Sequence, residues 1–110
     1  MEIEGLRENE SKAVMLLKEN LEKEFALIDF RVFGPKIKGK ATAESDIDVM
    51  IEIEAATPKA EALIDEIIFK INLEFDCLIS AIVYGRKELE EGPMSESPLY
   101  KVIEKEGIKV

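Results

Sequence analysis

The sequence predicts an α/β (α+β) domain, a small mixed sheet of three to four strands with helices packed mainly on one face. Three stretches carry that expectation. From Asp46 the chain alternates, with Ile47, Val49, Ile51 and Ile53 on one parity and Asp46, Asp48, Met50 and Glu52 on the other, the period-two pattern of a half-buried strand. Ala60, Leu63, Ile64, Ile67, Ile68 and Ile71 then recur at i, i+3, i+4, i+7, i+8 and i+11, the stripe of an amphipathic helix. Phe75 to Tyr84 follows as a nearly continuous apolar run closed by Gly85, which predicts a strand buried on both faces and central in its sheet. With 110 residues, 46% of them hydrophobic, the chain can bury one core, so 1–110 is expected to be a single domain.

The remaining elements follow in order. Met1 to Asn9 is expected to be loose or a helical extension. From about Glu10 to Phe25, Val14, Leu17, Leu21 and Phe25 recur at helical spacing beside Ala13 and Leu16, while Lys12, Lys18, Glu19, Glu22 and Lys23 face away, so a helix is expected to pack on the sheet. Ala26 to Phe33 is rich in β-formers and breaks at Gly34-Pro35. Thr57-Pro58 supplies an N-cap and a proline at the first helical position. Arg86 to Glu91 predicts a short charged helix ended by Gly92-Pro93. Ser97-Pro98 repeats the cap, with Leu99, Tyr100, Val102 and Ile103 as the apolar stripe and Gly107 as the stop.

Composition narrows the chemistry. Fifteen basic residues against 24 acidic ones leave a net charge of −9, which argues against tracking extended nucleic acid, since such binding rests on neutralising phosphates with lysine and arginine. A nucleotide held through a metal ion stays compatible, as does a basic or neutral protein partner. The chain has no histidine, which removes the usual general base and any Ser-His or Cys-His nucleophile. Cys77, the single cysteine, lies in an apolar stretch and is expected to be an inert thiol. No apolar run reaches membrane-spanning length and the N-terminus lacks a signal pattern, so a cytoplasmic location without membrane contact is expected.

The stretch from Gly34 to Asp48 holds the chemistry. Asp46 and Asp48 share one strand face, with Cα atoms roughly 6.5 to 7 Å apart at about 3.3 Å per residue, so their carboxylates can converge on one hard cation or on two neighbouring ones. Mg²⁺ suits such a pair, because it takes oxygen ligands and completes its shell with water and substrate phosphates. Upstream, a strand ending at a glycine can turn free N–H groups toward an anion. Lys36, Lys38 and Lys40 concentrate positive charge there in an otherwise acidic chain.

Gly34, Pro35, the ten residues Lys36 to Ser45 and then Asp46 and Asp48 resemble the signature of the DNA polymerase β-like nucleotidyltransferase superfamily, in particular its minimal nucleotidyltransferases. That signature is Gly-Ser, ten residues and Asp-x-Asp, often with a basic Arg-x-Arg-Gly after the serine and Ser-Asp-Ile-Asp at the end. Lys36-Ile37-Lys38-Gly39 takes the basic places, and Ser45-Asp46-Ile47-Asp48 matches the closing tetrapeptide. The resemblance implies the nucleotidyltransferase fold and transfer of a nucleoside monophosphate from an NTP, with ATP expected, to an acceptor hydroxyl. It implies Asp46 and Asp48 as catalytic ligands of Mg²⁺ or Mn²⁺, and Gly34, Lys36, Lys38, Gly39 and Ser45 as nucleotide contacts.

Two departures qualify it. Pro35 stands where the family has a phosphate-binding serine, and it has neither hydroxyl nor N–H. The family's third carboxylate, on the strand after the long helix, falls at Ser80 or Asp76; these would lie about 13 Å apart on one strand face, and Ser80 aligns more naturally. Both departures point to a weakened enzyme. They also sustain a second expectation, a catalytically degenerate module acting as the antitoxin-type partner of a HEPN-like protein. An oligomer is left open.

Overall fold

A computed structural model of the chain describes residues 2–39 and 46–110. Its helices and strands are α1 (Glu8–Glu24), β1 (Asp29–Phe33), β2 (Ile47–Ile53), α2 (Pro58–Phe75), β3 (Ile79–Gly85), α3 (Arg86–Glu91), α4 (Pro98–Glu106) and β4 (Ile108–Lys109), with a 3-10 turn at Pro93–Glu96. The four strands form one sheet in the order β3-β2-β1-β4. β1 runs antiparallel to both neighbours, and β2 and β3 are parallel, with α2 as the crossover that a parallel pair requires.

Local chemistry sets the element ends. The Thr57 hydroxyl accepts from the Ala60 N–H at 3.1 Å, and Pro58 opens α2. Ser97 caps α4 in the same way through the Tyr100 N–H at 3.3 Å. α2 stops where Asp76 turns left-handed, at φ 51° and ψ 54°.

The sheet is covered on both faces. Phe30, Val32, Ile47, Val49, Ile51, Ile53 and Ile79 pack with Val14, Leu17 and Leu21 of α1 and with Ile64, Ile68 and Ile71 of α2 to form the main core. On the opposite face a smaller core joins Met50 and Tyr84 to Leu89 of α3 and Ile103 of α4. There the Tyr84 and Tyr100 rings meet edge to face, with centroids 5.3 Å apart. The even-numbered side of β2 is therefore buried too, at Met50 and Glu52, and only the Asp48 end stays partly open.

Several expectations are corrected. The apolar run after α2 does not start a strand at Phe75: the helix continues through Phe75, and β3 begins at Ile79. β3 is an edge strand, not a central one. Its hydrophobicity reports helices lying over its faces, whereas edge position depends on whether a further strand pairs with its backbone. The N-terminal segment is packed rather than loose, since Ile3 is buried and its N–H donates to the Ser11 hydroxyl at 3.0 Å. β4 and the 3-10 turn carry too few residues for a periodic signal.

One buried ion pair fixes the start of the loop between β1 and β2. Lys36 donates to Glu10 Oε2 at 2.7 Å, and the two side chains are 5% and 7% exposed. The other oxygen of Glu10 accepts the Arg7 N–H at 2.9 Å, so a single carboxylate caps α1 and anchors the loop. Burial alone would raise the Glu10 pKa, but the Arg7 N–H and the Lys36 ammonium outweigh it and hold the carboxyl below its usual 4.5. Its stabilising effect is thus present above that value and is lost as pH falls through the folded-state pKa.

Removing one partner leaves an uncompensated buried charge. Glu10→Gln or Lys36→Met is expected to lower unfolding free energy by about 3 kcal/mol in urea titrations, and the double substitution Glu10→Leu/Lys36→Met to recover much of that loss. A single-substitution cost below about 1 kcal/mol would show that the pair is not structural.

Candidate active site

Strand register builds the site. Phe33 of β1 pairs with Asp48 of β2, and Asp48 pairs in turn with Ser80 of β3, so the three residues form one row across three strands. Cross-strand partners project from the same face, which here is the face of the smaller core. Along it, the next row is Arg31, Met50 and Ile82, where α4 and its neighbours begin to cover the sheet. Asp48 stands just beyond that cover, half-buried, with Asp46 exposed immediately before the strand.

The glycine turn lies against this carboxylate. Gly34 follows Phe33 directly and has φ +87°, and a Cβ built on it would collide with Asp48 Oδ2. Only glycine satisfies both constraints, the left-handed backbone and the close approach. Burial raises the Asp48 pKa above its usual 3.8, and the neighbouring charge of Asp46 raises it further. Two carboxylates that repel each other at the rim of a cleared face are suited to receive a cation. Hard oxygen donors of this kind fit Mg²⁺ or Mn²⁺. Among the described residues, no group of three or more acidic, cysteine or histidine side chains gathers around a metal position.

The remaining expected site residues are distributed unequally. Lys36 points inward to Glu10, so its ammonium is withdrawn from the cleft by the buried pair; the alternation of lysines therefore does not produce a row of free cations. Lys38 is about half exposed and reaches Glu106 at the end of α4, 2.9 Å away. The Lys38 and Gly39 N–H groups bond back to the carbonyls of Pro35 and Lys36 at 3.2 and 3.4 Å, as successive turns. Gly39 has φ +71° with open space around it. Lys40 and Ser45 lie outside the described residues. Asp76 belongs to the C-cap of α2 and not to β3, so the supposition that it shares a strand face with Ser80 is overturned. Ser80, exposed and level with Asp48, occupies the place abreast of the first pair.

Glu10 escaped the sequence reading because its partner lies 26 positions away and neither residue interrupts its local pattern. The place of Glu10 third in α1, where a capping-box acid reaches back to the N-cap backbone, is its only local trace.

The chain is thus a mixed α/β domain whose paired acids sit at one end of the central strand, against a glycine turn. A family model described as a nucleotidyltransferase domain matches residues 14–110, and the chain belongs to that family. No curated protein matches it. Among the described residues, no helix is long and apolar enough to cross a membrane.

Two substitutions probe this geometry. An ionised carboxylate whose folded-state pKa is raised costs stability as pH rises past its unfolded value and costs none below it. Asp48→Asn should therefore be more heat-stable than the parent at neutral pH without divalent cations, with the difference closing as pH falls below about 4; an unchanged or lowered melting temperature at neutral pH would contradict the electrostatic account. Gly34→Ala should cost about 1–2 kcal/mol for the left-handed backbone, measured by denaturant titration, and displace the Asp48 side chain.

Proposed function

We propose that this domain transfers a nucleoside monophosphate from a nucleoside triphosphate, with ATP as the expected donor, to an acceptor hydroxyl, whose oxygen bonds the α-phosphorus as the α–β phosphoanhydride bond breaks, pyrophosphate leaves and the hydroxyl proton passes to solvent, at a rate below that of a site with three carboxylates. The observation that supports it is the close approach of the Gly34 backbone to the Asp48 carboxylate. Phosphate and cation sites then adjoin without any rearrangement of the sheet. Asp46 and Asp48 would hold Mg²⁺ or Mn²⁺. When bound, the cation neutralises phosphate charge and favours the ionised form of an attacking hydroxyl.

The side chains act as follows. Gly34, having no Cβ, leaves room for the Asp48 carboxylate against the turn that would receive the triphosphate. Lys38 can turn from Glu106 toward phosphate, since that pair is solvent-exposed and weakly held. Gly39 would extend the phosphate side of the loop, and Ser45 is a further nucleotide contact expected from the resemblance. Lys36 organises the loop through Glu10 and takes no part in charge neutralisation.

A second function rests on specific observations. Pro35 offers no donor, Lys36 is withdrawn, and Ser80 puts a hydroxyl where a third acid would stand. These features favour a degenerate module that binds a protein partner, for which a HEPN-like toxin is the expected class. Retention of both Asp46 and Asp48 favours transfer, because clustered charges at the end of a central strand are costly unless used.

Incubation with α-labelled ATP, Mg²⁺ or Mn²⁺ and the candidate partner decides between them. Label transfer is expected, reduced about 100-fold or more by Asp46→Asn and by Asp48→Asn, since a Lewis-acid contact supplies several kcal/mol. Ser80→Asp should raise the rate and tighten Mn²⁺ binding. Absence of transfer, together with partner affinity unchanged in both asparagine variants, would establish the binding module instead.

A further inference from the structure

Asp48 stands between two unlike flanks. On the β1 side is Phe33, followed at once by the Gly34 turn, where a Cβ would collide with Asp48 Oδ2. On the β3 side is Ser80, its direct partner in the parallel register. Neighbouring strands lie about 4.8 Å apart and their paired residues share a face, so a hydroxyl is set beside the carboxylate that would hold the cation. Ser80 is exposed and β3 is an edge strand, so this flank opens to water.

Most other described hydroxyls are engaged or remote. Ser11 accepts the Ile3 N–H, and Thr57 and Ser97 cap helices. Tyr84 is buried and pairs with Glu52, two rows down the sheet from Asp48, and Tyr100 packs edge to face upon it. The Ser80 hydroxyl has no side-chain or backbone partner among the described residues.

Transfer to an oxygen demands the arrangement these flanks provide. Attacking and leaving oxygens take opposite sides of the phosphorus, roughly in line. With the β- and γ-phosphates against the Gly34 turn, the leaving oxygen lies toward β1 and the attacking oxygen must come from the direction of β3. Ser80 already stands there. A serine also ends one bond short of an aspartate oxygen, which leaves space on the cation side for the α-phosphorus to enter.

We propose that Ser80 is an acceptor within its own chain, the site of a self-nucleotidylation that closes the active site. This inference rests on the transfer reading above and adds a modification site to it. Ser80 Oγ bonds the α-phosphorus, the α–β phosphoanhydride bond breaks, pyrophosphate leaves and the hydroxyl proton passes to water. The product is a phosphodiester joining Ser80 to the nucleoside. It occupies the place of the next donor, so a chain takes one label and then stops. An aspartate at this position would ligate the cation instead, and the exchange of one side chain thus turns a ligand into an acceptor.

Incubation of the intact chain with α-labelled ATP and Mn²⁺, without and with the candidate partner, tests this by intact mass and peptide mapping. One adduct per chain at Ser80 is expected, formed with a rate constant independent of protein concentration. Ser80→Thr should keep the adduct and Ser80→Ala should lose it. Ser80→Asp should abolish it while raising transfer to the partner, opposite shifts that a merely structural role would not produce. A second readout needs no transfer: Ser80→Cys in a Cys77→Ser background should react with iodoacetamide at least about fivefold more slowly with Mg²⁺ and α,β-methylene ATP at about ten times its Kd. Label on the partner with none on the chain, or label on the chain mapped to Thr42 or Ser45, would overturn the inference and leave the transfer reading standing. Alkylation indifferent to the analogue would overturn it as well, and label on neither protein would remove both readings.

Discussion

The register of β2 is the constraint on which the molecule rests. Ile47, Val49, Ile51 and Ile53 must enter the core under α1 and α2, and that commitment sends Asp48, Met50 and Glu52 to the other face. A slip of one residue would drive Asp48 into the main core and expose the isoleucines, a change no local adjustment could absorb. The position of Asp48 is thus dictated by apolar burial elsewhere on the same strand. The smaller core beneath α4 ends one row short of it, so the carboxylate emerges where covering stops.

Charge placement adds a second level. Glu10 serves α1 and the loop with its two oxygens, and Glu52, also buried, is met by Arg86 Nε at 3.1 Å. No described buried side-chain nitrogen or oxygen lacks a partner. Asp48 is the exception in kind: it is partly desolvated, faces a like charge, and its pKa is raised by both causes. The rest of the polar interior is resolved within the protein, while this one position is left with an electrostatic deficit that a cation would relieve.

Much of this was legible in the sequence because it is local. The alternation from Ile47 to Ile53, the stripe from Ala60 to Ile71, and the two cap-and-proline pairs at Thr57 and Ser97 each report themselves within a dozen residues. What failed was non-local. Whether β3 is inner or outer depends on the path of β1 and β4, not on the composition of β3. Lys36 looked like its neighbour Lys38, and only the tertiary position of Glu10 separates a buried structural cation from an exposed one. The boundary between α2 and β3 was missed because Phe75 suits either state and Asp76, left-handed, is the kind of residue that ends a helix without a glycine.

The Glu10 bridge also has a meaning on the timescale of descent. A lysine that phosphate holds can drift only as far as the nucleotide allows, whereas Lys36 answers to a residue of its own chain. Positions 10 and 36 should therefore be inherited as a couple, changing together to a neutral apolar pair or not at all, while Lys38 varies independently of position 10 and only within what phosphate binding allows. Within a lineage, that joint substitution would distinguish a basic residue kept for architecture from one kept for chemistry.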